Sequence, residues 1–266
     1  MVNMKPDKEN VMTRITASQN LPAVLLITCL LAAPALAGLT HRYSFNDGNA
    51  RDSVGKVDGK LVGSGATVAD GKLSLKNDPN VSDPTKISYL EFAGPVIPKS
   101  GSASIMFWMT AKDVGPYARL LDFGESVGGE GNAFMYFTPR TVDDSSRAAI
   151  SATDVGGRIP LDNPRIDDDK PHMVVIVING ETRKLQVFID GKEGLGAQDL
   201  GDNTLDKIRP VNNFLGKSSF DVDPGLRATI DEFRVYDHAL TAAEVTAAQA
   251  AGPNAVPGGP ATQPAR

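Results

Sequence analysis

Cysteine is almost absent from this sequence. Of its 266 residues only Cys29 is a cysteine, and it lies within the first 37 residues. A single thiol cannot form an intramolecular disulfide, so stability has to come from a hydrophobic core, or from a core and a metal ion. The roughly 215 residues between Gly38 and Gly252 are enough for one large sandwich with a sizeable core.

An excess of positive charge is absent as well. The chain has 27 lysine and arginine residues against 32 aspartate and glutamate residues. Residues 1–37 hold three of the basic and two of the acidic side chains, which leaves 24 basic and 30 acidic ones, a net charge of −6. Such a mildly acidic surface offers no electrostatic footprint for nucleic acid or for an anionic membrane. We expect neither nucleic-acid binding nor membrane insertion of the mature chain.

An apolar run long enough to cross a membrane is also missing. The apolar segment 21–31 is short, follows Lys5, Lys8 and Arg14, and leads to Ala35-Leu36-Ala37. A basic start, a short apolar run and an A-x-A site are typical of a secretory signal peptide. We therefore predict that residues 1–37 are a signal peptide cleaved after Ala37, and that the protein is extracellular or periplasmic.

Other interpretations of this segment stay open. An uncleaved anchor is disfavoured because Thr28 and Pro34 interrupt the short run. Lipid attachment at Cys29 is disfavoured because the residue lies inside the run rather than at its end. Translation can begin at Met1, Met4 or Met12, and the last start gives a more usual signal length.

Long segments of helical period are absent before the end of the chain. From Leu39 onward, short apolar or alternating runs are separated by glycine, aspartate, asparagine and proline, which is typical of an all-β domain. We predict one domain, residues 38–251, with two packed sheets. Its clearest strands are 40–45, 72–75, 88–92, 102–110, 119–123, 133–138, 148–152, 172–179, 184–189 and 228–236.

Two of these strands are apolar at both alternating parities, at 104–109 and 173–178. A strand of this kind is expected to be covered on both faces, so we predict that both are central. The turn residues 179–183 connect the second one to strand 184–189, which predicts a hairpin.

The only predicted helix lies at 241–249. Thr241 with Glu244 three residues later forms a capping-box pattern, and Gly252 is a stop signal. Residues 252–266 are rich in proline, glycine and alanine, and we predict that they form a disordered tail.

Four stretches together resemble a known family. They are LTHRYSFNDG at 39–48, DGKLSL at 70–75, PHMV at 171–174 followed by VFIDG at 187–191, and IDEFRVYDHALT at 230–241. Their order and spacing are similar to those of laminin-G-like domains of the concanavalin A-like lectin/glucanase superfamily. The resemblance implies an all-β, two-sheet antiparallel jelly-roll β-sandwich with a short C-terminal helix, whose first and last strands pair. The superfamily contains both lectins and glucanases, so the site has to decide the function.

Carboxylate patterns for glycoside hydrolysis are missing. Retaining glucanases of this superfamily carry an E-x-D-x-x-E strand motif, because two carboxylates must flank the scissile bond. Glu125 and Glu130 instead flank a glycine-rich stretch, and Asp231 and Glu232 are neighbours that should point to opposite faces of a strand.

Other catalytic patterns are no better supported. Residues 124–128 match G-x-S-x-G, but the glycines that follow exclude the helix that a nucleophile elbow needs, so we interpret the match as a loop. His41, His172 and His238 lie far apart in sequence, each at a strand end. A binding protein is therefore favoured over an enzyme.

A calcium site is the main chemical hypothesis. Asp231 shares its strand parity with Phe233 and Val235, so we expect a buried carboxylate, which needs a cation or several donors. The family resemblance implies a structural Ca²⁺ held by Asp231 and by the backbone carbonyls of Gly71 and Ser44.

Asn46 and Asp47 are alternative ligands of that calcium, since oxygen ligands of mixed origin suit the ion. The competing interpretation is that Asp231 pairs with Arg42 or Arg234, or accepts backbone N–H groups.

Aromatic residues are scarce, at 6% of the chain. Trp108, the only tryptophan, lies in a strand that is apolar at both parities, so we expect it in the core. Tyr117 lies in a predicted loop, and Arg119 and Asp122 follow it with polar groups. These three are the candidate ligand-binding residues, because sugars stack on exposed aromatic rings and bind polar groups at the rim. An ordinary loop is the alternative.

Taken together, these patterns favour a secreted, non-catalytic binding module for carbohydrate or an extracellular glycoprotein, stabilised by calcium. A structural or adhesive domain that binds other proteins is the first alternative, and a glycoside hydrolase the second.

Overall fold

The structure is a computed structural model, and it describes residue 1, residues 38–99 and residues 101–255. Residues 2–37 of the predicted signal peptide and residues 256–266 of the predicted tail lie outside the described residues. In the described part of the chain no helix is both long and apolar enough to cross a membrane.

Strands dominate the described residues, with one α-helix, α1 (Ala242–Ala251), after the last of them. The strands are β1 (Leu39–Tyr43), β2 (Gly59–Val62), β3 (Ala66–Ala69), β4 (Lys72–Lys76), β5 (Tyr89–Phe92), β6 (Ala103–Lys112), β7 (Leu121–Val127), β8 (Glu130–Thr138), β9 (Ser145–Ser151), β10 (Ile159–Pro164), β11 (Asp168–Asn179), β12 (Lys184–Ile189), β13 (Lys192–Glu193), β14 (Gln198–Asp199), β15 (Asn212–Leu215) and β16 (Arg227–Tyr236). Short 3₁₀ turns occupy Val155–Gly157 and Leu205–Lys207.

Two antiparallel sheets form a jelly-roll sandwich. The front sheet has the order β13-β12-β11-β6-β16-β4-β3, with β1 also paired to β16 and β14 to β12. The back sheet has the order β10-β9-β8-β7-β15-β5-β2. The first and last strands pair, the β11–β12 hairpin is present, and β6 and β11 are central. The predicted fold class is confirmed.

All ten predicted strands are present, some with shifted ends, and six further strands were not predicted. The missed strands are β2, β3, β10, β13, β14 and β15. Two of them have two residues each, and β2, β3, β10 and β13 lie at sheet edges. Edge strands need no continuous apolar pattern, so periodicity gives a weak signal for them.

The main core lies between the two sheets and is rich in phenylalanine. Phe233 of β16 packs against Phe92 of β5, with ring centroids 5.6 Å apart, and against Phe107 of β6 at 6.4 Å. Each fully buried side chain of this size contributes about 1.5–3 kcal/mol. This core fixes β16 at the centre of the sandwich.

A smaller core lies on the outer face of the front sheet, beneath α1. Val245 and Ala248 of the helix pack with Met106, Trp108 and Met173 of the sheet. The helix begins with the predicted capping box, in which the Thr241 hydroxyl accepts from the Glu244 amide and the Glu244 carboxylate accepts from the Thr241 amide. The helix explains why β6 and β11 are apolar on both faces, and it buries Trp108 to 7% exposure.

The chain beyond α1 is tied down further than the sequence predicted. The buried guanidinium of Arg234 donates to the carbonyl oxygens of Pro253 (2.6 Å) and Ala255 (3.0 Å). The predicted disordered tail begins at Gly252, and its first residues are instead anchored because a buried arginine needs acceptors.

Candidate functional site

The face on which Asp231 lies was predicted wrongly. The pairing of β16 with β6 shifts register between Ile230 and Glu232, so Asp231 is the extra residue of a β-bulge. Because a bulge reverses the alternation, Ile230 and Phe233 both face the main core, and Asp231 does not share their environment. Its side chain is 22% exposed and lies 3.3 Å from Lys72 Nζ.

The fully buried carboxylate of this strand is Glu232, which no sequence pattern singled out. Glu232 Oε1 accepts from Arg42 Nε at 2.6 Å and from Arg234 Nε at 2.7 Å. Both Glu232 and Arg234 are 0% exposed. The two arginines that were the alternative partners of Asp231 therefore pair with its neighbour Glu232. The pair that Arg42 forms with Glu232 links β1 to β16.

Two of the other predicted calcium ligands, Asn46 and Gly71, lie close together. Asn46 approaches Gly71 so closely that a side chain at Gly71 would lie 2.8 Å from Asn46 Oδ1. Asp47 is exposed, and Lys72 takes the position beside Asp231 that a cation would need. No group of three or more histidine, cysteine or acidic side chains that could hold a metal occurs among the described residues. Calcium binding at Asp231, Gly71, Ser44, Asn46 and Asp47 stays a prediction.

The three predicted ligand-binding residues do meet, at the outer face of the back sheet. The Arg119 guanidinium lies over the ring of Tyr136, 3.6 Å from its centroid, and 5.4 Å from that of Tyr117. Its Nη2 is 2.9 Å from Asp223 Oδ2, and its Nε is 3.8 Å from Asp122 Oδ2. We refer to these five residues as the arginine cluster.

The arginine cluster is closed rather than open. Asp122 is 0% and Arg119 3% exposed. Asp122 accepts hydrogen bonds from the amide (3.0 Å) and hydroxyl (2.9 Å) of Ser219, in the segment that covers the sheet. Burial raises the pKa of Asp122 to about 6 even though the charge of Arg119 lowers it, and burial also raises the pKa of Asp223.

Some polar atoms of the arginine cluster still lack partners. Nε and Nη1 of Arg119 and the hydroxyl of Tyr136 are buried without a hydrogen bond. Tyr117 also has a positive φ of 63°, which is uncommon for a bulky residue. A ligand could reach Arg119 only if the covering segment moved, and ligand binding by Tyr117, Arg119 and Asp122 stays a prediction.

The G-x-S-x-G match lies in a hairpin, not in the loop that we predicted. Its first four residues belong to β7, and β8 follows directly after the turn. Ser126 is exposed and pairs with Gly131 across the hairpin. A nucleophile elbow needs a helix after the serine, and this motif is followed by a strand.

An open groove lies on the outer face of the front sheet, next to the part that α1 covers. Two adjoining cavities of about 850 and 270 Å³ share Thr110 and Thr229. The larger extends towards Lys76, Lys112 and Arg227, and the smaller towards Trp108, Asp190, Asp231 and Pro253. We call this feature the front groove.

Four hydroxyl side chains cross the front sheet in one row. Thr67 of β3 is opposite Ser74 of β4, Ser74 is opposite Thr229 of β16, and Thr229 is opposite Thr110 of β6. Neighbouring residues of these strands, such as Leu73, Ile230 and Met109, face the main core, so the row faces outward. Three of its members line the front groove. We call this set the hydroxyl row.

A second row of side chains lies beside the hydroxyl row and is basic. Lys76 of β4 is opposite Arg227 of β16, and Lys112 of β6 follows one position beyond the Ala228–Ala111 pair. We call these three residues the cationic row. Neither row was predicted from the sequence, although the alternation of polar and apolar residues at 72–76 and 227–230 shows that these side chains point away from the core.

Comparison with known families identifies the domain. Residues 84–246 match a laminin-G family model described as "Concanavalin A-like lectin/glucanases superfamily". The chain belongs to this superfamily. The match confirms the resemblance on which the fold prediction depended. No curated protein sequence matches this superfamily member significantly.

Solved structures share its fold at low sequence identity. Domain 4 of AbnA, an extracellular arabinanase from Geobacillus stearothermophilus in complex with arabinotriose, has a TM-score of 0.58 and 19% identity, covering 79% of this chain and 98% of that one.

The binding domain of botulinum neurotoxin DC also matches over 79% of the chain. Its complex with rat synaptotagmin II has a TM-score of 0.58 and 11% identity, and its complex with SialylT has 0.57 and 10%. This superfamily member covers 50% of each toxin chain. At these identities the similarity shows the fold only.

Proposed function

We propose that the protein is a secreted, non-catalytic carbohydrate-binding module, and that the front groove binds the glycan. The observation that carries this proposal is the hydroxyl row on the floor of an open groove. Carbohydrates present many hydroxyl groups, and side-chain hydroxyls can both donate to them and accept from them. Adjacent strands are about 4.8 Å apart, so the row offers a polar contact at regular steps along a sugar chain.

The floor of the front groove suits binding because it is rigid. Ser74, Thr229 and Thr110 lie on three neighbouring strands whose other faces are buried in the main core. Side chains held in this way lose little conformational freedom when a ligand binds. Trp108 lines the far end of the groove, where α1 leaves only 7% of it exposed.

Ligands bound to solved structures of the same fold support the same class of ligand. One is an arabinanase domain in complex with arabinotriose, and another is a toxin binding domain in complex with SialylT. The toxin complex with synaptotagmin II, however, has a protein partner, which supports the alternative that this sandwich binds an extracellular protein.

The central floor does not supply the groups that a glycosidase needs. The hydroxyl row contains no carboxylate, and each of the four aspartates that line the cavities already has a partner: Asp231 has Lys72, Asp169 has Lys112, Asp190 has His172 and Asp78 has Asn80. Retaining and inverting hydrolysis both need two carboxyl groups at the scissile bond. A binding role therefore accounts for the groove better than hydrolysis.

The test is binding to a panel of polysaccharides by affinity electrophoresis and calorimetry, with the Thr229→Val variant. Valine keeps the shape of threonine but removes the central hydroxyl, so we expect binding to weaken by about tenfold. Thr182→Val, in the exposed β11–β12 turn, is the matched control and should bind like the natural protein. Equal affinity of the Thr229→Val variant, or binding to proteins alone, would contradict the proposal.

Secretion is the second part of the proposal and has its own measurement. Cleavage after Ala37 predicts that the exported protein begins at Gly38. Mass spectrometry of the protein recovered outside the cytoplasm should show this N-terminus, and an intact residue 1 would contradict it.

A further inference from the structure

Two of the three charges in the cationic row are unpaired within the described residues. Lys112 Nζ lies 2.8 Å from Asp169 Oδ2 and is neutralised there. Lys76 and Arg227 are exposed, and within the described part of the chain neither has an ion-pair partner. By contrast, Arg234 on the same strand as Arg227 is buried against Glu232.

Lys76 and Arg227 occupy directly opposite positions on paired strands. Like charges in such a position repel and destabilise the sheet. Lys112 lies on the other side of Arg227, next to the Ala228–Ala111 pair of β16 and β6. An anion in the groove would relieve this repulsion.

Acidic side chains around the groove do not supply that anion. Asp169 is engaged with Lys112, and Asp78 at the rim accepts hydrogen bonds from the amide (2.9 Å) and side-chain nitrogen (3.2 Å) of Asn80. The whole chain carries a net charge of −5, so the cationic row is a local feature rather than part of a basic surface. An anion therefore has to be attracted through direct contact with Lys76 and Arg227.

We propose that the front groove selects an acidic saccharide. Its ring hydroxyls lie along the hydroxyl row, and a carboxylate or sulfate group on the same saccharide is held between Arg227 and Lys76. The planar guanidinium of Arg227 can bind either group through two parallel hydrogen bonds, while Lys76 adds a point charge. The inference rests on the proposed function, because the same groove binds the sugar backbone.

Matched pairs of polysaccharides test the proposal. One pair is a uronic-acid polymer and the same polymer with its carboxyl groups reduced, and the other is a sulfated polymer and its desulfated form. We expect the acidic member of at least one pair to bind about tenfold more tightly, because hydrogen bonds to charged groups are the stronger ones. This preference should shrink as salt is added. The pair that shows it identifies the anionic group.

Variants assign the preference to the cationic row. The Lys76→Gln, Arg227→Gln double variant should bind both members of the pair equally, at the affinity of the neutral one. Lys60→Gln on β2 of the back sheet removes an exposed charge elsewhere and should keep the preference. Thermal unfolding of each variant checks that the sandwich is intact.

The possible outcomes separate this inference from the proposed function. Equal binding of acidic and neutral partners by the natural protein, or a preference that the double variant keeps, would overturn the acidic specificity and leave carbohydrate binding in place. Failure to bind any member of either pair would also overturn the acidic specificity, whereas failure to bind any member of the whole polysaccharide panel would overturn carbohydrate binding itself.

Discussion

Arg119 on the outer face of the back sheet and Arg227 on the outer face of the front sheet have opposite surroundings. Arg119 on the back sheet is 3% exposed, lies on Tyr136 and pairs with Asp223. Arg227 on the front sheet is exposed and is flanked by Lys76 and Thr229. It forms no ion pair with a carboxylate of the described residues. The segment that carries Ser219 covers Arg119 on the back sheet, whereas α1 covers the front sheet at Trp108 and Met173 and leaves Arg227 exposed.

This difference teaches that residue type does not identify a binding site. Tyr117, Arg119 and Asp122 were predicted to bind a ligand because an aromatic residue precedes two charged ones. That combination also suits a buried cluster in which each charge has a partner, and this is what the structure shows. The front groove has less conspicuous residues, but their polar atoms are open to a ligand.

The largest expected effect is on stability, at the back sheet. Arg119→Ala leaves Asp122 and Asp223 buried without their cation, so the free energy of unfolding should fall by about 3–5 kcal/mol. Arg227→Ala should change it by about 0.5 kcal/mol or less, since surface substitutions have small effects. Urea unfolding measures both. Similar losses in the two variants would remove the contrast between the faces.

Calcium removal is expected to have an intermediate effect. If Asp231 and the carbonyl oxygens of Gly71 and Ser44 hold Ca²⁺, a chelator should lower the melting temperature by about 5 °C, and Asp231→Asn should abolish this response. Lys72→Gln is the matched control, because it removes the ion pair but keeps the carboxylate. An unchanged melting temperature in chelator would contradict calcium binding.

The smallest effect is the pH dependence that comes from Asp122. Burial raises the pKa of Asp122 to about 6, above the ordinary value near 4 that it regains on unfolding. The folded state therefore binds the proton more tightly, and the resulting stability is complete below about pH 4 and is lost as pH rises through about 6.

The variant for this prediction is Asp122→Asn. The control is Asp221→Asn, in the segment that carries Ser219. Melting temperatures measured from pH 4 to 7 should decline less with pH in Asp122→Asn than in the natural protein and the control. Asp52 has a lowered pKa, because hydrogen bonds from His41 and from backbone amides outweigh its burial, so it acts below this range. Parallel profiles for all three proteins would contradict the assignment.

The sequence predicted the strands best where both faces are buried. Strands β6 and β11 are apolar at every position that touches either core, so they were found and correctly placed at the centre. Strand β15 is also interior, but it begins with Asn212 and Asn213 and has only four residues, so its pattern resembles a loop. Short polar strands can be interior where the side chains have hydrogen-bond partners, as Asn213 has with Pro210.

The calcium prediction shows how one residue can change a site. A buried carboxylate at Asp231 was predicted from strict alternation between Asp231 and Val235. The bulge at Asp231 breaks this alternation. Nothing in the local sequence marks the bulge, because it results from pairing β16 with β6 on one side and with β4 and β1 on the other.

The sequence by itself determined the all-β class, the central strands, the capped helix and the outward direction of alternate polar residues, because these depend on patterns within a few residues. Only the tertiary structure decided which of the outward residues meet. Thr67 and Ser74 lie on one hairpin, but Thr110 and Thr229 come from strands far away along the chain, and the four form one row because the sheet order places their strands side by side. The same order sets Lys76 against Arg227, since strand pairing is a long-range contact that no local pattern specifies.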